Sequence, residues 1–307
     1  MREFEFIDWI RSQSRFDPAV VRVGPGDDAA VVAWAGRRVL VTVDQALDGV
    51  HFELARHGPQ QAGRKAMARS LSDVAAMAGR PWAAVASVAL PQGAGADLAQ
   101  NLYMGLRKLA DEFACPLVGG DVGAWTGPLA ISVTVLAVPD GVEPVLRGGA
   151  KPGDAICVSG ALGGAWRGLR HLSFMPRVHE ARILAGRYGL HAMIDLSDGL
   201  ASDLRHVCRA SGVGARISAA AVPISPDVDC QNPPERLRRA LCDGEDYELL
   251  FALPMEQARD LVRRQPLGVQ VSLIGQCTDQ QDVVLAHDDG RVEPLPAGGY
   301  EHTTQAR

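Results

Sequence analysis

The residues of this sequence best suited to chemistry are aspartates that stand inside or directly after apolar runs. An unpaired carboxylate in such a place is costly unless a cation or hydrogen-bond donors compensate its charge. These aspartates are Asp27 and Asp28 in GPGDDAAVV, Asp44 after VLVTV, Asp73 in ARSLSDVAAMAG, Asp121 in LVGGD, and Asp195 and Asp198 in MIDLSDGL. Few lysines lie near them in the sequence, and Mg²⁺ is commonly held by one or two carboxylates together with substrate phosphates. The pattern therefore indicates a magnesium-dependent site.

Each of these aspartates also has a purely structural interpretation. Gly-Asp-Asp commonly forms a turn, and Ser197 with Asp198 can cap the N-terminus of a helix. Asp73 could lie on a solvated helix face, although the segment LSDVAAMA contains few other charges. From these residues alone, both interpretations stay open.

The familiar nucleotide-binding motifs are missing from the sequence. It has neither a GxxxxGK[ST] P-loop nor a glycine loop of the protein-kinase type followed by a lysine on a strand. The glycine-rich segment SGALGGA (159–165) follows a predicted strand. Such a segment either cradles a phosphate or only turns the chain.

Strand-like and helical runs alternate along the chain, which predicts an α/β or α+β fold. The strand-like runs are 39–43, 84–90, 130–138, 155–159, 247–253 and 269–275, and helical periodicity covers 64–78 and 96–113. The stretch 139–153 is rich in proline, glycine and charge. We therefore expect an N-terminal α/β domain over 1–138, a linker over 139–153 and a C-terminal α/β domain over 154–307. A hairpin is expected around Asp288-Asp289-Gly290.

The composition narrows the class of protein. A chain of 307 residues with 47% hydrophobic and 22% charged residues suits a globular enzyme of two domains. The net charge of −5 and the scattered arginines argue against nucleic acid as a partner. The six cysteines are far apart and form no CxxC motif, which argues against zinc and disulfide frameworks. Cys115, Cys157 and Cys208 stand in apolar settings and are expected to be buried thiols.

The N-terminal segment and the hydropathy of the chain give an expected location. Residues 1–10 mix acids with apolar residues, as at the start of a helix, and do not resemble a signal peptide. No run reaches the roughly 18 uncharged apolar residues that a membrane span needs. We therefore expect a cytoplasmic protein without a membrane partner.

Seven motifs, taken in order, resemble the thiamine-monophosphate kinase family, which belongs to the superfamily of aminoimidazole-ribotide synthetase. They are GPGDDAAVV, TVDQALDGVHF, KAMARSLSDVAAMAG, LVGGD, GAKPGDAICVSGALGG, IDLSDGLASDL and DGEDYELLF. The resemblance runs from about residue 3 to residue 302, and IDLSDGL and GEDYEL are its most specific parts.

The resemblance implies a fold and an activity. The fold would be two α/β domains, with the N-terminal domains of a homodimer pairing so that their sheets form a shared β-barrel. The activity would be phosphorylation of thiamine monophosphate to thiamine diphosphate by ATP, which several Mg²⁺ ions on aspartates would hold in place of a P-loop.

The resemblance also assigns roles to residues of this sequence. The metal ligands would be Asp28, Thr42, Asp44, Asp73, Asp121 and Asp195, with Asp198 holding a further ion. The nucleotide would be contacted by Gly120, Asp121, Arg147 and Ser197, and the thiamine phosphate by His51 and Glu245. The charge on the transferred group would be stabilised by metal-bound Asp44, Asp121 and Asp195. Without the resemblance, His51 could be a packing or capping histidine, and Glu245 a loop acid.

This chemistry needs no general base. A phosphate monoester has a second pKa of about 6, so its attacking oxygen is already deprotonated near neutral pH. The protein must bring two anions into line and neutralise the charge that spreads over the transferred phosphoryl group. Metal-bound aspartates and a fixed charge on Arg147 suit that task.

Two segments depart from the family pattern. Val122 stands where a threonine is frequent after Gly-Gly-Asp, and the loop that follows it, GAWTG (123–127), is longer than usual. Near the C-terminus, Ala297 stands where an aromatic residue commonly stacks on the substrate. The stacking group must then come from elsewhere, with Tyr300 and Trp125 as candidates, or the thiamine site is looser than usual.

Two other functions are compatible with these motifs. One is a sister-branch synthetase that uses ATP to activate an oxygen for ring closure or to make selenophosphate, although no cysteine precedes Cys115 to serve the latter. The other is a non-catalytic protein that binds thiamine phosphate or ATP. The retained aspartates argue against such a binder, because they are costly to keep without catalysis.

Overall fold

The first half of the chain is built on a six-stranded sheet. The structure, a computed structural model, describes residue 12 and residues 16–299. The strands are β1 (Val21–Val23), β2 (Ala30–Trp34), β3 (Arg37–Leu47), β4 (Arg80–Pro91), β5 (Leu117–Trp125) and β6 (Ala130–Val138). Their order is β1-β2-β3-β6-β4-β5, antiparallel except for the parallel pair β4–β5. Strand β5 is therefore an edge strand.

Two helices cover one face of this sheet. They are α1 (Leu54–Ala76) and α2 (Ala96–Glu112). Helix α1 is interrupted at Gly58, whose φ of 76° and ψ of 163° are not helical, and Pro59 follows within the helix. The two helices approach closely where each has a glycine: a Cβ on Gly63 would lie 2.2 Å from the Leu102 carbonyl oxygen, and a Cβ on Gly105 2.0 Å from that of Gln60.

The second half is built on a seven-stranded sheet. The strands are β7 (Ala155–Ser159), β8 (Ala192–Asp195), β9 (Gly214–Ser218), β10 (Leu249–Leu253), β11 (Val271–Thr278), β12 (Val283–Ala286) and β13 (Val292–Pro294), in the order β13-β12-β9-β11-β7-β10-β8. The helices are α3 (Arg170–Ser173), α4 (Val178–Arg187), α5 (Leu200–Ser211), α6 (Pro233–Cys242) and α7 (Met255–Arg264). A short 3₁₀ turn covers Ala219–Ala221.

One hydrophobic core joins the two halves. Leu71 of α1 and Val133 of β6 belong to the same buried cluster as Met193 of β8 and Phe251 of β10. Along β6, buried residues alternate with partly buried ones, as expected for a strand that packs against a helix. Because α1 is buried between the halves, polar side chains on it reach both.

Most sequence-predicted elements are confirmed. All six predicted strands are present, as are the hairpin of β12 and β13 and the helix over Ala96–Glu112. The helix predicted over 64–78 is the C-terminal part of α1, and its beginning was missed because Gly58 and Pro59 are helix breakers. The helix predicted at the N-terminus lies outside the described residues. The division at 139–153 stays a prediction; that segment connects β6 to β7.

The structure also describes the predicted buried thiols, the glycine-rich segment 159–165 and the length of the helices. Cys115, Cys157 and Cys208 are buried free thiols, as predicted. In the glycine-rich segment 159–165, the Gly163 amide donates to both carboxylate oxygens of Asp246 at 2.9 and 3.0 Å. A carboxylate of this chain therefore holds the position that a phosphate would need. Among the described helices, none is long and apolar enough to cross a lipid bilayer.

Candidate active site

Three aspartates from distant parts of the chain meet between the two halves. Asp28 precedes β2, Asp73 lies on α1, and Asp195 ends β8. Each offers a carboxylate oxygen within 4.8 Å of the others, and Asp28 and Asp195 are only 8% and 4% exposed. We call these three residues the aspartate cluster. It brings together three of the predicted metal ligands.

Burial and mutual repulsion make the charged forms of Asp73 and Asp195 less favourable. Burial, and then the nearby Asp28, raise the pKa of Asp195 to about 7. Burial and the carboxylates of Asp44, Asp195 and Asp28 raise the pKa of Asp73 well above its ordinary value. Oxygen donors that repel one another in this way fit a hard divalent cation, which would restore their charged forms.

Neighbouring hydroxyl groups orient the aspartate cluster. Thr42 donates a hydrogen bond to Asp73, and Ser72 donates one of 2.5 Å to Oδ2 of Asp195. Thr42 and Asp44 both lie on β3 two residues apart, so they point to the same face of the sheet. The predicted ligands Thr42 and Asp44 therefore lie beside Asp28, Asp73 and Asp195.

Two arginines compensate the acidic charge. Arg147 binds Asp28 through two hydrogen bonds, Nε to Oδ2 at 2.9 Å and Nη2 to Oδ1 at 2.8 Å. Arg69 binds Asp44 in the same way at 2.7 and 2.8 Å. Burial alone would lower the pKa of Arg147, but its pairing with Asp28 raises it above the ordinary value. Both arginines therefore remain charged.

Arg69 was not predicted from the sequence, although a signal was present. Lys65, Arg69 and Asp73 are spaced four residues apart on α1, so they form one stripe along the helix. In the sequence these cations stand among apolar residues, as the aspartates do. Arg147 was the arginine expected to add positive charge, and the helical spacing of Arg69 with Asp73 went unused.

A cavity of about 690 Å³ opens over the aspartate cluster. Its walls include these predicted site residues: Asp28, Thr42, Asp44, Asp73, Arg147, Asp195, Ser197 and Asp198. The volume lies in the usual range for sites that bind small molecules or cofactors. The walls come from β3, α1, the 139–153 segment and the region after β8, so the cavity exists only in the folded chain.

A second group of possible ligands lies at the start of α5. Asp198, Asp203 and His206 offer ligand atoms within 4.8 Å of one another. The Asp203 carboxylate also accepts hydrogen bonds from the amides of Asp198 and Gly199 at 3.2 and 3.0 Å. Burial raises the pKa of Asp203 well above its ordinary value. Asp203 and His206 were missed because no helix was predicted there; in α5 their spacing of three places them on one face.

A smaller pocket of about 250 Å³ adjoins the cavity and shares Arg69, Ser197, Asp198 and Tyr247 with it. We call it the side pocket. It contains both residues predicted to contact the thiamine phosphate, His51 and Glu245.

Hydrogen bonds and an ion pair hold His51 and Glu245, the two residues predicted to contact the thiamine phosphate. The Leu47 amide donates to Nδ1 of His51 at 3.0 Å. Glu245 has a left-handed φ of 61° and forms an ion pair with Lys65, which also donates to the His51 carbonyl oxygen at 2.5 Å. Burial, opposed by Glu245, lowers the pKa of Lys65 to about 8. One buried lysine therefore links both residues.

Gly120 and Asp121 line neither the large cavity nor the side pocket of their own chain, and their contacts with metal and nucleotide stay a prediction. They belong to the edge strand β5, where every residue after Leu117 is exposed. They line a different cavity of about 420 Å³, between β5 and α2. A Cβ on Gly120 would lie 2.0 Å from the Ala86 carbonyl oxygen, so strand pairing requires glycine there. Strands β6 and β4 separate β5 from β3, which carries Thr42 and Asp44.

Trp125 and Tyr300 were the candidates to replace the aromatic residue that is absent at Ala297. Trp125 lies on β5, donates its indole hydrogen bond to the Pro128 carbonyl oxygen at 2.9 Å, and lines neither the large cavity nor the side pocket. Ala297 is exposed and lines neither of them. Tyr300 lies outside the described residues.

Comparison with known proteins gives the family. The description "AIR synthase related protein, N-terminal domain" matches residues 26–138, and its C-terminal counterpart matches residues 151–288. A thiamine-monophosphate kinase of Rhodopirellula baltica is 38% identical over 98% of this chain and 97% of its own length. The one from Escherichia coli (strain K12) is 36% identical over 97% and 95%.

Solved structures agree with the sequence comparison. A structure described as AaThiL complexed with AMPPCP and TMP matches with a TM-score of 0.83 and 28% identity, covering 98% of this chain and 97% of that one. The two-domain fold expected from the motifs is thereby confirmed. The chain belongs to the AIR synthase related proteins and, within them, to the thiamine-monophosphate kinase family.

Proposed function

We propose that this protein transfers the γ-phosphoryl group of ATP to thiamine monophosphate and so makes thiamine diphosphate. One observation carries the proposal: carboxylates from both halves of the chain meet in a cavity that shares wall residues with the pocket holding His51 and Glu245. Relatives named thiamine-monophosphate kinase match nearly the whole chain, and one similar structure holds AMPPCP and TMP.

The aspartate cluster would hold Mg²⁺, with Thr42 and Asp44 beside it. When bound, the metal ions would supply the positive charge that lets two phosphate groups approach each other. Asp198, with Asp203 and His206, would hold a further ion. The donors fit this role because they are mostly oxygens and because, without a cation, burial and mutual repulsion raise the pKa of Asp73 and Asp195.

Side chains of the protein would do the positioning. Arg147 lines the large cavity over the aspartate cluster. Its guanidinium becomes available to phosphate oxygens once a cation compensates Asp28. Ser197 lines both spaces and can donate to a phosphate at their junction. The acceptor needs no base, because its phosphate is already mostly ionised near neutral pH. Catalysis then rests on alignment and charge neutralisation.

The side pocket would hold the acceptor. Glu245 lies against the pocket as a fixed negative charge and His51 as a hydrogen-bonding group, both anchored through Lys65. A carboxylate suits the cationic thiazolium ring of thiamine, and Arg69 lies where it can meet the acceptor phosphate.

We also infer a homodimer that pairs through the first sheets into a shared β-barrel. An exposed edge strand with apolar side chains is a strong candidate for pairing with another chain. Val118 and Val122 on β5 are 65% and 66% exposed, and Trp125 is 48% exposed. In such a dimer, Gly120 and Asp121 would contact the nucleotide and metal of the partner subunit.

We also propose the domain boundaries and the location of the protein. The domains would be 1–138 and 154–307 with a linker at 139–153, as the division between the two sheets favours. The location would be cytoplasmic, which suits the six free cysteines. We propose no nucleic-acid or membrane partner.

An ADP-release assay over a panel of phosphorylated acceptors tests the activity. We expect Mg²⁺-dependent ADP release when thiamine monophosphate is present, and little without it. Equal release with and without the acceptor would contradict the proposal. An amide substrate in the same panel tests for a sister-branch synthetase, and single-turnover mixing with γ-labelled ATP tests for a binder that leaves the phosphate in place.

A further inference from the structure

Besides the buried His51, the side pocket is lined by two aromatic residues of the described part of the chain, Trp166 and Tyr247, and only Trp166 has an exposed ring. Tyr247 is 2% exposed and its ring stacks on Phe174, with a centroid distance of 3.9 Å and an interplanar angle of 10°. Trp166 is 38% exposed and lines the pocket beside His51 and Glu245. We propose that Trp166 is the surface on which the aromatic rings of the acceptor pack, an inference that rests on the proposed function.

The indole of Trp166 is held from the protein side. Its ring stacks on the fully buried imidazole of His171, with a centroid distance of 4.2 Å and an interplanar angle of 20°. Burial lowers the pKa of His171 to about 4, so this imidazole is neutral near pH 7. A preorganised ring loses little conformational entropy when a ligand packs on it.

The glycine-rich segment 159–165 positions Trp166, which follows it directly in the chain. The amides of Gly163 and Gly164 donate to Asp246 and Asp243 at 2.9 and 3.2 Å. These two aspartates flank Glu245 in the sequence, so one set of hydrogen bonds ties the backbone before Trp166 to the backbone around Glu245. The motif that could have cradled a phosphate instead fixes an indole and a carboxylate beside the same pocket.

The chemistry of the pocket suits a cationic aromatic ligand. Trp166 supplies a π-face, which attracts cations as well as aromatic rings. Asp198, Asp243 and Glu245 line the same pocket together with Arg69, and Lys65 pairs with Glu245, so these three acids outnumber the two bases. A thiazolium ring joined to a pyrimidine offers both a positive charge and flat surfaces. Trp166 thus supplies the aromatic group that is absent at Ala297.

Steady-state kinetics with thiamine monophosphate varied at saturating MgATP test the assignment. We expect Trp166→Ala and Trp166→Leu to raise the KM for thiamine monophosphate about tenfold, and Trp166→Phe less than about threefold, since stacking on an aromatic side chain has this size. The KM for ATP should change less than about twofold. Met175→Ala, which removes another exposed apolar side chain near α3, should leave both KM values unchanged.

Tryptophan fluorescence provides a second readout that does not need turnover. Thiamine monophosphate should quench the emission of the wild-type protein, and this change should disappear in Trp166→Phe but persist in Trp82→Phe. Wild-type KM values in Trp166→Leu, or full quenching in Trp166→Phe, would overturn the inference and leave the proposed function standing. Quenching through Trp166 without any ADP release would overturn the proposed function and keep the inference.

Discussion

The hydroxyl group of Ser72 donates a 2.5 Å hydrogen bond to Oδ2 of Asp195, and this contact joins α1 of the first half to β8 of the second. Both residues are buried, at 1% and 4% exposure. A hydrogen bond to a carboxylate favours its charged form. Ser72 therefore opposes the burial that raises the pKa of Asp195 to about 7.

We expect Ser72→Ala to shift the acid limb of the pH profile of kcat/KM to higher pH, by about half a unit to one unit. Without the hydroxyl group, Asp195 holds its proton to higher pH and competes less well for Mg²⁺. The measurement is kcat/KM against pH at limiting Mg²⁺. Ser70→Ala is a matched control, because Ser70 lies on the same helix and donates only to the Val133 carbonyl oxygen. An equal shift in both variants would contradict the role of Ser72.

The metal-free protein should become less stable as pH rises from about 4 to about 7. The pKa of Asp195 is raised in the folded state to about 7 from an ordinary value of 3.8, so in this window the unfolded chain releases a proton that the folded chain retains. The free energy of unfolding falls as pH rises, by about 1.4 kcal/mol for each pH unit and each such group. Urea unfolding in a chelator measures this slope.

The same stability experiment has two controls. Adding Mg²⁺ should flatten the pH dependence, because the bound cation favours the charged carboxylates. Asp195→Asn in the chelator should also reduce the slope, since it removes one of the displaced groups. A metal-free protein whose stability rises between about pH 4 and 7 would be inconsistent with a strained aspartate cluster.

Asp44→Asn and Asp195→Asn should each lower kcat by about 100-fold or more while the protein stays folded, because the loss of one charge-stabilising group typically has that effect. ADP release measures activity, and circular dichroism measures folding. Asp260→Asn serves as the control, since Asp260 pairs with Arg263 and Arg264 on the surface of α7. Full activity in Asp44→Asn or Asp195→Asn would refute the proposed role of that residue.

Lys65→Met should destabilise the protein by about 3 kcal/mol, because the partly buried Glu245 loses its buried partner and keeps only the longer 3.6 Å pair with Arg69. Lys65 is fully buried in this pair, with Glu245 19% exposed. The KM for thiamine monophosphate should also rise, since His51 and Glu245 both depend on Lys65. Arg38→Met is the control: it breaks an exposed pair with Glu143 and should change stability by less than about 1 kcal/mol. Similar losses in both variants would show that burial does not matter here.

Mixing two inactive variants tests whether Asp121 acts on the partner subunit. If Asp121→Asn and Asp195→Asn are inactive alone, their mixed dimer should contain one intact site, so a fully exchanged equal mixture recovers about a quarter of the wild-type activity. Analytical ultracentrifugation measures the dimer directly. No recovery in a mixture shown to exchange subunits would mean that Asp121 does not complete the partner's site.

Much of the fold could be predicted because its strands are short apolar runs. Residues 130–138 and 155–159 are strands as expected, since β-branched and apolar side chains there pack on both sides of a sheet. The strand expected over 247–253 begins only at Leu249, because Glu245 and Tyr247 have left-handed backbone conformations that no periodicity reveals. Local sequence patterns therefore predict that a strand exists better than they predict where it begins, when the boundary depends on left-handed backbone conformations.

The family, the ligand types and the places where carboxylates interrupt apolar runs could all be predicted, because they depend on residue identity and local spacing. Which of these carboxylates meet depends on how the chain folds. The tertiary structure brings Asp28, Asp73 and Asp195 together, gives Asp28 and Asp44 their arginine partners, and places Asp121 on an outer edge. The reason is physical: charge interactions act over a few ångströms in space, whereas the pairs Ser72–Asp195 and Arg147–Asp28 are each more than 100 positions apart in the chain.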